Sequence, residues 1–413
     1  MATPRSSSAS PVPSASFASS ASSASSESSS TRPIALLHVI TDLDVGGTEL
    51  ALARLLANMD ARRFRHRVVS LLPMGPVAAT LAAAGIEVES LDMPKGRVTP
   101  GGIVRLRRIV REMTPDVVNS WLYHADLLST IALMPGSRIP LVWNLRSSHM
   151  DMRRYSWVSR TTRRLCAWVS RRPDLIVANS TTGRDYHIEF GYRARAWQVI
   201  VNGIDTDRFR PDAEARRAIR EEVGIPADAP LIGLLARHDA MKGHPVFLEA
   251  AARIAESRPD AHFLLAGTGV EPGAPFFAAW LAARPGIASR VHLLGRRSDT
   301  ERLMAALDVY CSPSLGEGFP NAPAEAMSSG VPVVASDAGD SRLIVGDTGI
   351  VVPVGNAAAL ADGCLSLLRE PEDARRARRE RARARIVEQF GLARAVTEYE
   401  RMIEGVLARR RER

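Results

Sequence analysis

Short apolar runs alternate with amphipathic stretches along most of the chain. The first run, Ile34–Ile40, has the length of a buried β-strand, and residues 49–59 repeat apolar positions with helical spacing. We predict further strands of this set at 67–72, 87–91, 116–120, 141–144, 175–178 and 198–201. Apolar strands that are separated by helices predict a parallel sheet that is covered on both faces.

The alternation then starts afresh after a break at residues 209–229, where prolines flank a charged helix. We predict a second set of strands at 231–236, 262–266, 291–294, 309–312, 331–335 and 350–352. The chain is therefore predicted to be an α/β protein with two doubly wound, Rossmann-like parallel-sheet domains that face a cleft. Ligands of such sheets bind beyond the carboxyl ends of the strands.

The predicted boundaries follow from this pattern. We assign residues 33–210 to an N-terminal domain and 211–390 to a C-terminal domain, with a final helix at 391–413. The final helix carries one apolar stripe, which must pack on a domain surface. The stripe consists of Leu392, Val396, Tyr399, Ile403 and Val406.

Composition narrows the class of protein. The chain has 413 residues, of which 46% are apolar, and no apolar run approaches the ~20 residues of a membrane-spanning helix. Its three cysteines have no zinc or disulfide spacing, so we expect a reducing, cytoplasmic compartment. Residues 1–32 are rich in Ser and Ala, which predicts a disordered tail without a secretory signal. The net charge of +9 favours anionic partners, and no motif points to nucleic acid.

Two carboxylates, Glu317 and Glu325, flank a stretch that is rich in Gly and Pro. These Gly and Pro residues predict a loop at Glu317 and a helix that begins near Asn321 or Ala322, with Glu325 in its first turns. The first backbone N–H groups of such a helix point outward without partners. Carboxylates beside free amides suit a polyhydroxylated ligand such as a sugar nucleotide.

A pair of cations follows the first strand of the second domain. Arg237 and Lys242 come just after strand 231–236, and Gly243 precedes a helix. Two cations in this position suit a diphosphate, because helix-start amides and positive side chains both favour phosphate oxygens. The Arg-x4-Lys spacing is common by itself, and it gains weight because the two carboxylates lie in the same domain.

A glycine turn follows the first strand of the first domain. Gly46 and Gly47 permit close approach of a ligand to the backbone, and we expect Thr48 to cap a helix that begins at Glu49. The spacing is not that of a dinucleotide-binding fingerprint, which disfavours a nicotinamide site. A plain strand-to-helix turn remains open at this point.

Two histidines and two D-x-D triplets also follow predicted strands. His124 and His149 stand at strand ends that face one cleft, which favours a functional role over a purely structural one. The triplets are Asp42-Leu-Asp44 and Asp205-Thr-Asp207. A divalent metal needs further ligands, and the second triplet lies in a turn, so we expect no metal at either place.

Residues 153–172 form a basic amphipathic segment that contains Trp157 and Trp168. Its arginines are Arg153, Arg154, Arg160, Arg163, Arg164, Arg171 and Arg172. Tryptophan beside arginine suits a membrane interface with anionic lipid. A helix that faces the core and has charged flanks is an equal or better interpretation.

Together these motifs resemble the retaining glycosyltransferases of family four, also called group 1 glycosyl transferases, which have the GT-B fold. The resemblance runs from about Ile34 to the C-terminus. Its most specific motifs are residues 202–209, 233–243, 266–269, 291–295 and 314–332. It implies an N-terminal, acceptor-binding Rossmann-like domain (33–210) and a C-terminal, nucleotide-sugar-binding one (211–390) around a cleft, with the C-terminal helix (391–413) crossing back onto the first.

The resemblance implies roles for the matching charged residues. Arg237 and Lys242 would hold the donor diphosphate and neutralise the charge that develops as it leaves. Glu325 would accept the ribose hydroxyls, and Glu317 would approach the transferred sugar. The family implies front-face attack, in which the departing phosphate oxygen takes the acceptor proton. Glu317 as the nucleophile of a double displacement is disfavoured, because the match places it off the reacting face.

The remaining positions would contact the donor mainly through the backbone. Gly46 and Gly47 would touch phosphate and sugar, Gly295 would lie near the base, and His149 would meet the sugar near its 6-position or the acceptor. The amides around the second-domain helix start would contact the sugar hydroxyls; these positions are Gly318, Phe319 and Asn321. One stretch departs from the family pattern, which often has Gly-Gly and then Glu: this chain has Gly339-Asp340-Ser341-Arg342.

We therefore expect a metal-independent, retaining hexosyltransferase without a bound cofactor. It would move a sugar from a UDP- or GDP-sugar to a glycan or a polyprenyl-diphosphate-linked sugar, in the synthesis of a surface polysaccharide, such as an exopolysaccharide, or of a glycolipid. It would act in the cytoplasm, with peripheral contact to the anionic inner face of the membrane. A GT-B nucleotide-sugar epimerase and a non-catalytic sugar-nucleotide-binding partner of an assembly complex remain as alternatives.

Overall fold

A computed structural model of the protein describes residues 32–146 and 157–412. The first strands are β1 (Ile34–Ile40), β2 (Phe64–Ser70), β3 (Glu87–Ser90), β4 (Val117–Trp121), β5 (Leu141–Leu145), β6 (Leu175–Ala178) and β7 (Trp197–Val199). The helices among them are α1 (Gly47–Asn58), α2 (Val77–Ala83), α3 (Pro100–Met113), α4 (Tyr123–Leu133), α5 (Trp157–Val169) and α6 (Thr181–Glu189). The strands form one parallel sheet in the order β3-β2-β1-β4-β5-β6-β7, and we call this sheet with its helices the first lobe.

The second lobe repeats this plan. Its strands are β8 (Leu231–Leu235), β9 (His262–Ala266), β10 (Val291–Leu293), β11 (Val309–Ser312), β12 (Val333–Ser336) and β13 (Ile350–Val352). Its helices are α7 (Ala213–Val223), α8 (His244–Ser257), α9 (Pro275–Ala282), α10 (Pro285–Ala288), α11 (Thr300–Ala306), α12 (Asn321–Ser328), α13 (Ser341–Val345), α14 (Ala357–Arg369) and α15 (Glu372–Phe390). The parallel sheet has the order β10-β9-β8-β11-β12-β13.

The two doubly wound sheets confirm the predicted fold class. Each sheet has apolar clusters on both faces, which is why apolar residues predominate in its central strands. The strand predicted at 331–335 begins two residues later, at Val333. Pro332 has no N–H to give to a sheet, and it precedes the paired residues.

A final helix, α16 (Leu392–Arg411), returns to the first lobe as predicted. Its apolar stripe packs into the core cluster beneath β1 and β4, whereas Phe390, at the end of α15, packs in the core of the second lobe. The chain passes between the lobes twice, near Ile204 and near Gly391, and these two segments are hydrogen-bonded to each other. Ile204 N donates to Phe390 O at 2.8 Å, and Leu392 N donates to Ile204 O at 2.8 Å.

Helix α5 carries the basic amphipathic pattern noted in the sequence, and it lies against the first lobe. Its inner face contains Arg163, which donates a hydrogen bond to Tyr186 Oη and stacks 3.7 Å from the centroid of the Phe190 ring. Its outer face leaves Trp157 70% and Trp168 83% exposed. Throughout the described ranges, every helix is too short or too polar to cross a bilayer.

Candidate active site

A cavity of about 630 Å³ is lined by both lobes beyond the carboxyl ends of β1 and β8. Most of the predicted site residues line it. They are Gly46, Gly47, Arg237, Lys242, Glu317, Gly318, Phe319, Asn321 and Glu325. Gly295 does not line the cavity, and His149 lies outside the described residues. The roles of these two residues remain predictions.

Helix N-termini from opposite lobes meet at this cavity. Helix α1 begins at Gly47 and α12 begins at Asn321, and neither has a side-chain cap. The expected cap by Thr48 is therefore wrong: the helix starts two residues before Glu49, so Thr48 already lies within its first turn. A Cβ atom on Gly47 would lie 4.0 Å from Asn321 Nδ2, which shows how closely the two helix ends approach. Uncapped N-termini present free N–H groups and a positive dipole end to anions.

Lys242 is held at the cavity by the turn between β8 and α8. This turn contains a short 3₁₀ helix, Ala240–Lys242. Asp239 is its N-cap, and the Asp239 carboxylate accepts from Met241 N at 2.9 Å. Gly243 follows with φ +67°, and a Cβ atom there would lie 2.1 Å from Pro313 O. Only glycine fits at this position, because both the left-handed backbone and the close carbonyl exclude a side chain.

The two predicted cations differ in their surroundings. Lys242 Nζ donates to Glu317 Oε1 at 2.6 Å, and Ser314 Oγ donates to the same oxygen at 2.7 Å. Arg237 is exposed, and Asp239, at 3.4 Å, is the one carboxylate in the described part of the chain with which it forms an ion pair. Glu317 therefore holds Lys242 in place, while Arg237 can turn towards a bound anion.

Glu325 faces the first lobe across the cavity. Its carboxylate lies 4.0 Å from Arg54 Nη1, on α1. Burial raises the pKa of Glu325, and the nearby Arg54 charge opposes the rise. The sequence prediction missed Arg54, although its spacing from Gly47 is two helical turns and places both residues on the same face of α1.

A second element that sequence reasoning missed is a hydrogen-bonded chain between the lobes. Arg146, in the first lobe, donates to Asn202 Oδ1 at 2.9 Å, and Asn202 Nδ2 donates to Asn321 Oδ1 at 2.9 Å. Arg146 also donates to Tyr399 Oη at 2.6 Å and stacks 4.4 Å from the centroid of the Trp121 ring. The chain ties the start of α12 to the first lobe and to the returning helix α16.

Glu49 is a further titratable group near the glycine turn. Burial raises its pKa to about 7, and the charges of Asp42 and Asp44 act in the same direction. Asp42 Oδ1 accepts from Asp44 N at 3.3 Å, as in a local turn. Over residues 32–146 and 157–412, no three His, Cys, Asp or Glu side chains are grouped as metal ligands.

Other candidates from the sequence lie away from the cavity. His124 does not line it, and burial lowers the pKa of its ring. Asp205 Oδ1 accepts from Arg208 N at 3.0 Å, so this residue closes a turn, as its sequence context indicated. Arg342 is exposed and pairs with Asp337 at 2.6 Å on the surface.

The comparisons with known proteins agree with the two-lobed fold. Residues 45–208 match a family model described as Glycosyltransferase Family 4, and residues 229–370 match one described as Glycosyl transferases group 1. The chain is 30% identical over 224 residues to the lipopolysaccharide core biosynthesis mannosyltransferase LpsB of Rhizobium meliloti. That match covers 52% of this chain and 62% of LpsB, which is less than two thirds of the relative's length.

A longer match and a solved structure extend the likeness to both lobes. A phosphatidyl-myo-inositol mannosyltransferase of Mycobacterium tuberculosis is 30% identical over 346 residues, covering 75% of this chain and 81% of the relative. The crystal structure of Anabaena Alr3699/HepE in complex with UDP aligns with a TM-score of 0.78 at 24% identity, over 90% of this chain and 100% of that one. At this identity the structure shows the fold alone. The family models and the long mycobacterial match show that the chain belongs to the group 1 glycosyltransferases.

Proposed function

We propose that the protein is a retaining, metal-independent hexosyltransferase of family four that transfers a sugar from a nucleoside diphosphate donor. One observation carries the proposal: two uncapped helix N-termini, from opposite lobes, meet Arg237 and Lys242 around a single cavity. The cavity volume of about 630 Å³ lies within the range of roughly 300–1,000 Å³ that is typical of small-ligand sites.

The donor would bind mainly to the second lobe. Arg237 and Lys242 would contact the diphosphate, and the N–H groups at the start of α12 would contact the sugar. Glu325 would accept the ribose hydroxyls, since its carboxylate lines the cavity. The solved complexes of HepE with UDP and UDP-glucose support UDP-sugars as the first donors to test, with GDP-sugars as the second.

The same groups would stabilise the leaving diphosphate. Breaking the glycosyl–phosphate bond places negative charge on the phosphate, and preorganised cations and amides stabilise such charge without a metal. Glu317 already accepts hydrogen bonds from Lys242 and Ser314, which supports a positioning role over a nucleophilic one. We therefore propose front-face attack with retention, in which a departing phosphate oxygen takes the acceptor proton.

The acceptor is proposed to be a glycan or a lipid-linked sugar. LpsB is named for lipopolysaccharide core biosynthesis, and the relative from Mycobacterium tuberculosis is named as a phosphatidyl-myo-inositol mannosyltransferase. These names support a place in the synthesis of a surface polysaccharide or glycolipid. His149 is proposed to lie near the sugar or the acceptor, and Gly295 of the second lobe is proposed to lie near the base.

Contact with an anionic membrane at the cytoplasmic face is part of the proposal. Helix α5 has no acidic residue, and its exposed face brings Trp157 and Trp168 together with Arg160 and Arg164. Tryptophan rings beside arginines suit a lipid headgroup region with negative charge.

Flotation with vesicles of phosphatidylglycerol tests this surface. We expect binding to fall when both tryptophans are replaced by alanine or when Arg160 and Arg164 are replaced by serine. Arg376→Ser, an exposed residue of the second lobe, is the matched control. Equal flotation of all variants would exclude α5 as the membrane contact.

A donor experiment tests the enzymatic proposal. UDP binding is measured by calorimetry, and sugar transfer is measured with UDP- and GDP-sugars and polyprenyl-diphosphate-linked acceptors. Glu325→Ala is expected to weaken UDP binding about tenfold or more, because hydrogen bonds to a charged group contribute about 1.5–3 kcal/mol. Lys242→Ala is expected mainly to lower turnover, and Glu388→Ala on the surface is the control.

The outcome separates the proposal from its alternatives. Wild-type transfer by both site variants would show that the assigned site is wrong. Conversion of the donor sugar into an epimer without transfer would indicate an epimerase. UDP binding without either reaction, across all donors and acceptors, would indicate a non-catalytic sugar-nucleotide-binding protein.

A further inference from the structure

The departure from the family pattern at Asp340 coincides with a contact between the lobes. Asp340 follows β12 in the second lobe and is only 4% exposed. Its carboxylate reaches the first lobe: Thr181 N donates to Oδ2 at 2.8 Å, and Thr182 N donates to Oδ1 at 3.0 Å. The Thr182 hydroxyl donates to Oδ1 at 2.8 Å as well.

These bonds place the carboxylate at the N-terminus of α6. Ser180, in the first lobe itself, is the N-cap residue of α6, and its Oγ accepts from Gly183 N at 2.9 Å. The N–H groups of Thr181 and Thr182 would otherwise have no partner, because the first N–H groups of a helix have none within it. The positive end of the helix dipole adds to the attraction for a carboxylate. Among the described residues, Asp340 makes no ion pair with Lys or Arg, so α6 is its principal partner.

The backbone of the same segment supports the donor side of the cavity. Asp340 N donates to Gly318 O at 2.9 Å. Gly339 has φ +59°, and a Cβ atom there would lie 2.4 Å from Glu317 O, so the segment packs directly on the Glu317–Gly318 loop. Two residues before Thr181, Asn179 lines the cavity from the first lobe.

We infer that Asp340 is a positioning residue between the lobes. It fixes the first-lobe wall of the cavity relative to the Glu317–Gly318 loop of the second lobe. The crossings at Ile204 and Gly391 join the lobes along the chain, and the Asp340 carboxylate joins them through side-chain contacts. Its effect on catalysis rests on the proposed function, whereas its effect on the arrangement of the lobes does not.

The matched pair Asp340→Ala and Ser180→Ala tests the inference. Both variants remove a cap from α6, but only the first removes a bond between lobes. For Asp340→Ala we expect amide exchange at Thr181 and Thr182 to rise about tenfold or more, as follows from losing charge-assisted hydrogen bonds. We also expect the radius of gyration from small-angle scattering to increase. Ser180→Ala is expected to affect exchange at Gly183 and to leave the radius unchanged.

Catalysis supplies the second measurement. With a donor and acceptor pair that the wild type uses, Asp340→Ala is expected to lower kcat about tenfold and to leave the Kd for UDP within about twofold, since the cations and Glu325 are untouched. Asp340→Asn, which keeps the side-chain shape, is measured beside it in case the alanine variant unfolds, as judged by circular dichroism.

Amide exchange, scattering and kinetics together separate a failure of this inference from a failure of the proposed function. An unchanged radius, or equal behaviour of the Asp340 and Ser180 variants, would overturn the inference whether or not a donor is found. Wild-type kcat in a variant with loosened lobes would overturn the positioning role. Absence of transfer by the wild type would count against the proposed function only, because exchange and scattering still decide the inter-lobe contact.

Discussion

The ion pair between Lys242 and Glu317 gives a quantitative test of the site. At the observed 2.6 Å and an effective dielectric constant of about 20, Coulomb's law gives about 6 kcal/mol. Lys242 keeps 30% of its side chain exposed, so solvent screening and the cost of desolvation remove most of this energy. We expect a coupling energy of about 1–2 kcal/mol in the free energy of unfolding, close to that of a hydrogen bond between charged groups.

A double-mutant cycle measures this coupling. Lys242→Ala, Glu317→Gln and the double variant are unfolded in urea, and the energies are compared with the wild type. The exposed pair Arg237–Asp239, at 3.4 Å, is the control and should couple by less than about 0.5 kcal/mol.

The same cycle with saturating UDP tests the function of the pair. If Lys242 turns towards the diphosphate, it shares its charge with the phosphate oxygens, and the coupling with Glu317 should fall. A coupling below about 0.5 kcal/mol without ligand would refute the reasoning about the pair. A coupling that UDP leaves unchanged would refute the proposed contact between Lys242 and phosphate.

Three further predictions concern stability and the turn that holds Lys242. Asp308→Asn should lower the free energy of unfolding in urea by about 3 kcal/mol, because Asp308 Oδ2 accepts from Nη2 of the buried Arg220 at 2.7 Å. A loss of less than about 0.5 kcal/mol, typical of a surface substitution, would contradict this prediction. The pKa of Glu49 is about 7 in the folded state, above its unfolded value, so the folded state binds a proton more tightly and the free energy of unfolding should fall by up to about 3 kcal/mol as the pH rises from about 4.5 to 7. Glu49→Gln should remove this dependence on pH, and an equal dependence in both proteins would exclude Glu49 as its source. Gly243→Ala should lower both stability and turnover, because its Cβ would meet Pro313 O at 2.1 Å; wild-type values for both would show that the turn adapts.

Local chemistry made several parts of the structure predictable. The bounds of β1, β6, β9, β11 and β13 follow apolar runs whose ends are marked by polar residues, Gly or Pro. The start of α12 at Asn321 was predicted from the Gly and Pro residues before it. The predicted start of α1 at Glu49, with Thr48 as its cap, is wrong: Gly46 takes the extended conformation of the N-cap, and the helix begins at Gly47.

The orientation of α5 shows where the pattern was ambiguous. Its sequence fitted a core-facing helix at least as well as a membrane-facing one, because arginine occurs on more than one side of the helix. In the structure, Arg163 turns inward onto Phe190, whereas Trp157 and Trp168 remain outside. An aromatic partner elsewhere in the lobe decided which arginine is buried, and the helical period alone does not contain that information.

By itself, the sequence determined the two sheets, the start of α12 and the side chains that follow β8 and β11. These features depend on residues close together in the chain, so period, glycine and proline suffice to locate them. Only the tertiary structure decided which groups meet across the cavity. The contacts Arg54–Glu325, Asn202–Asn321 and Thr182–Asp340 each join residues more than one hundred positions apart. Their distances depend on how the lobes are oriented about the crossings at Ile204 and Gly391, and no local pattern specifies that orientation.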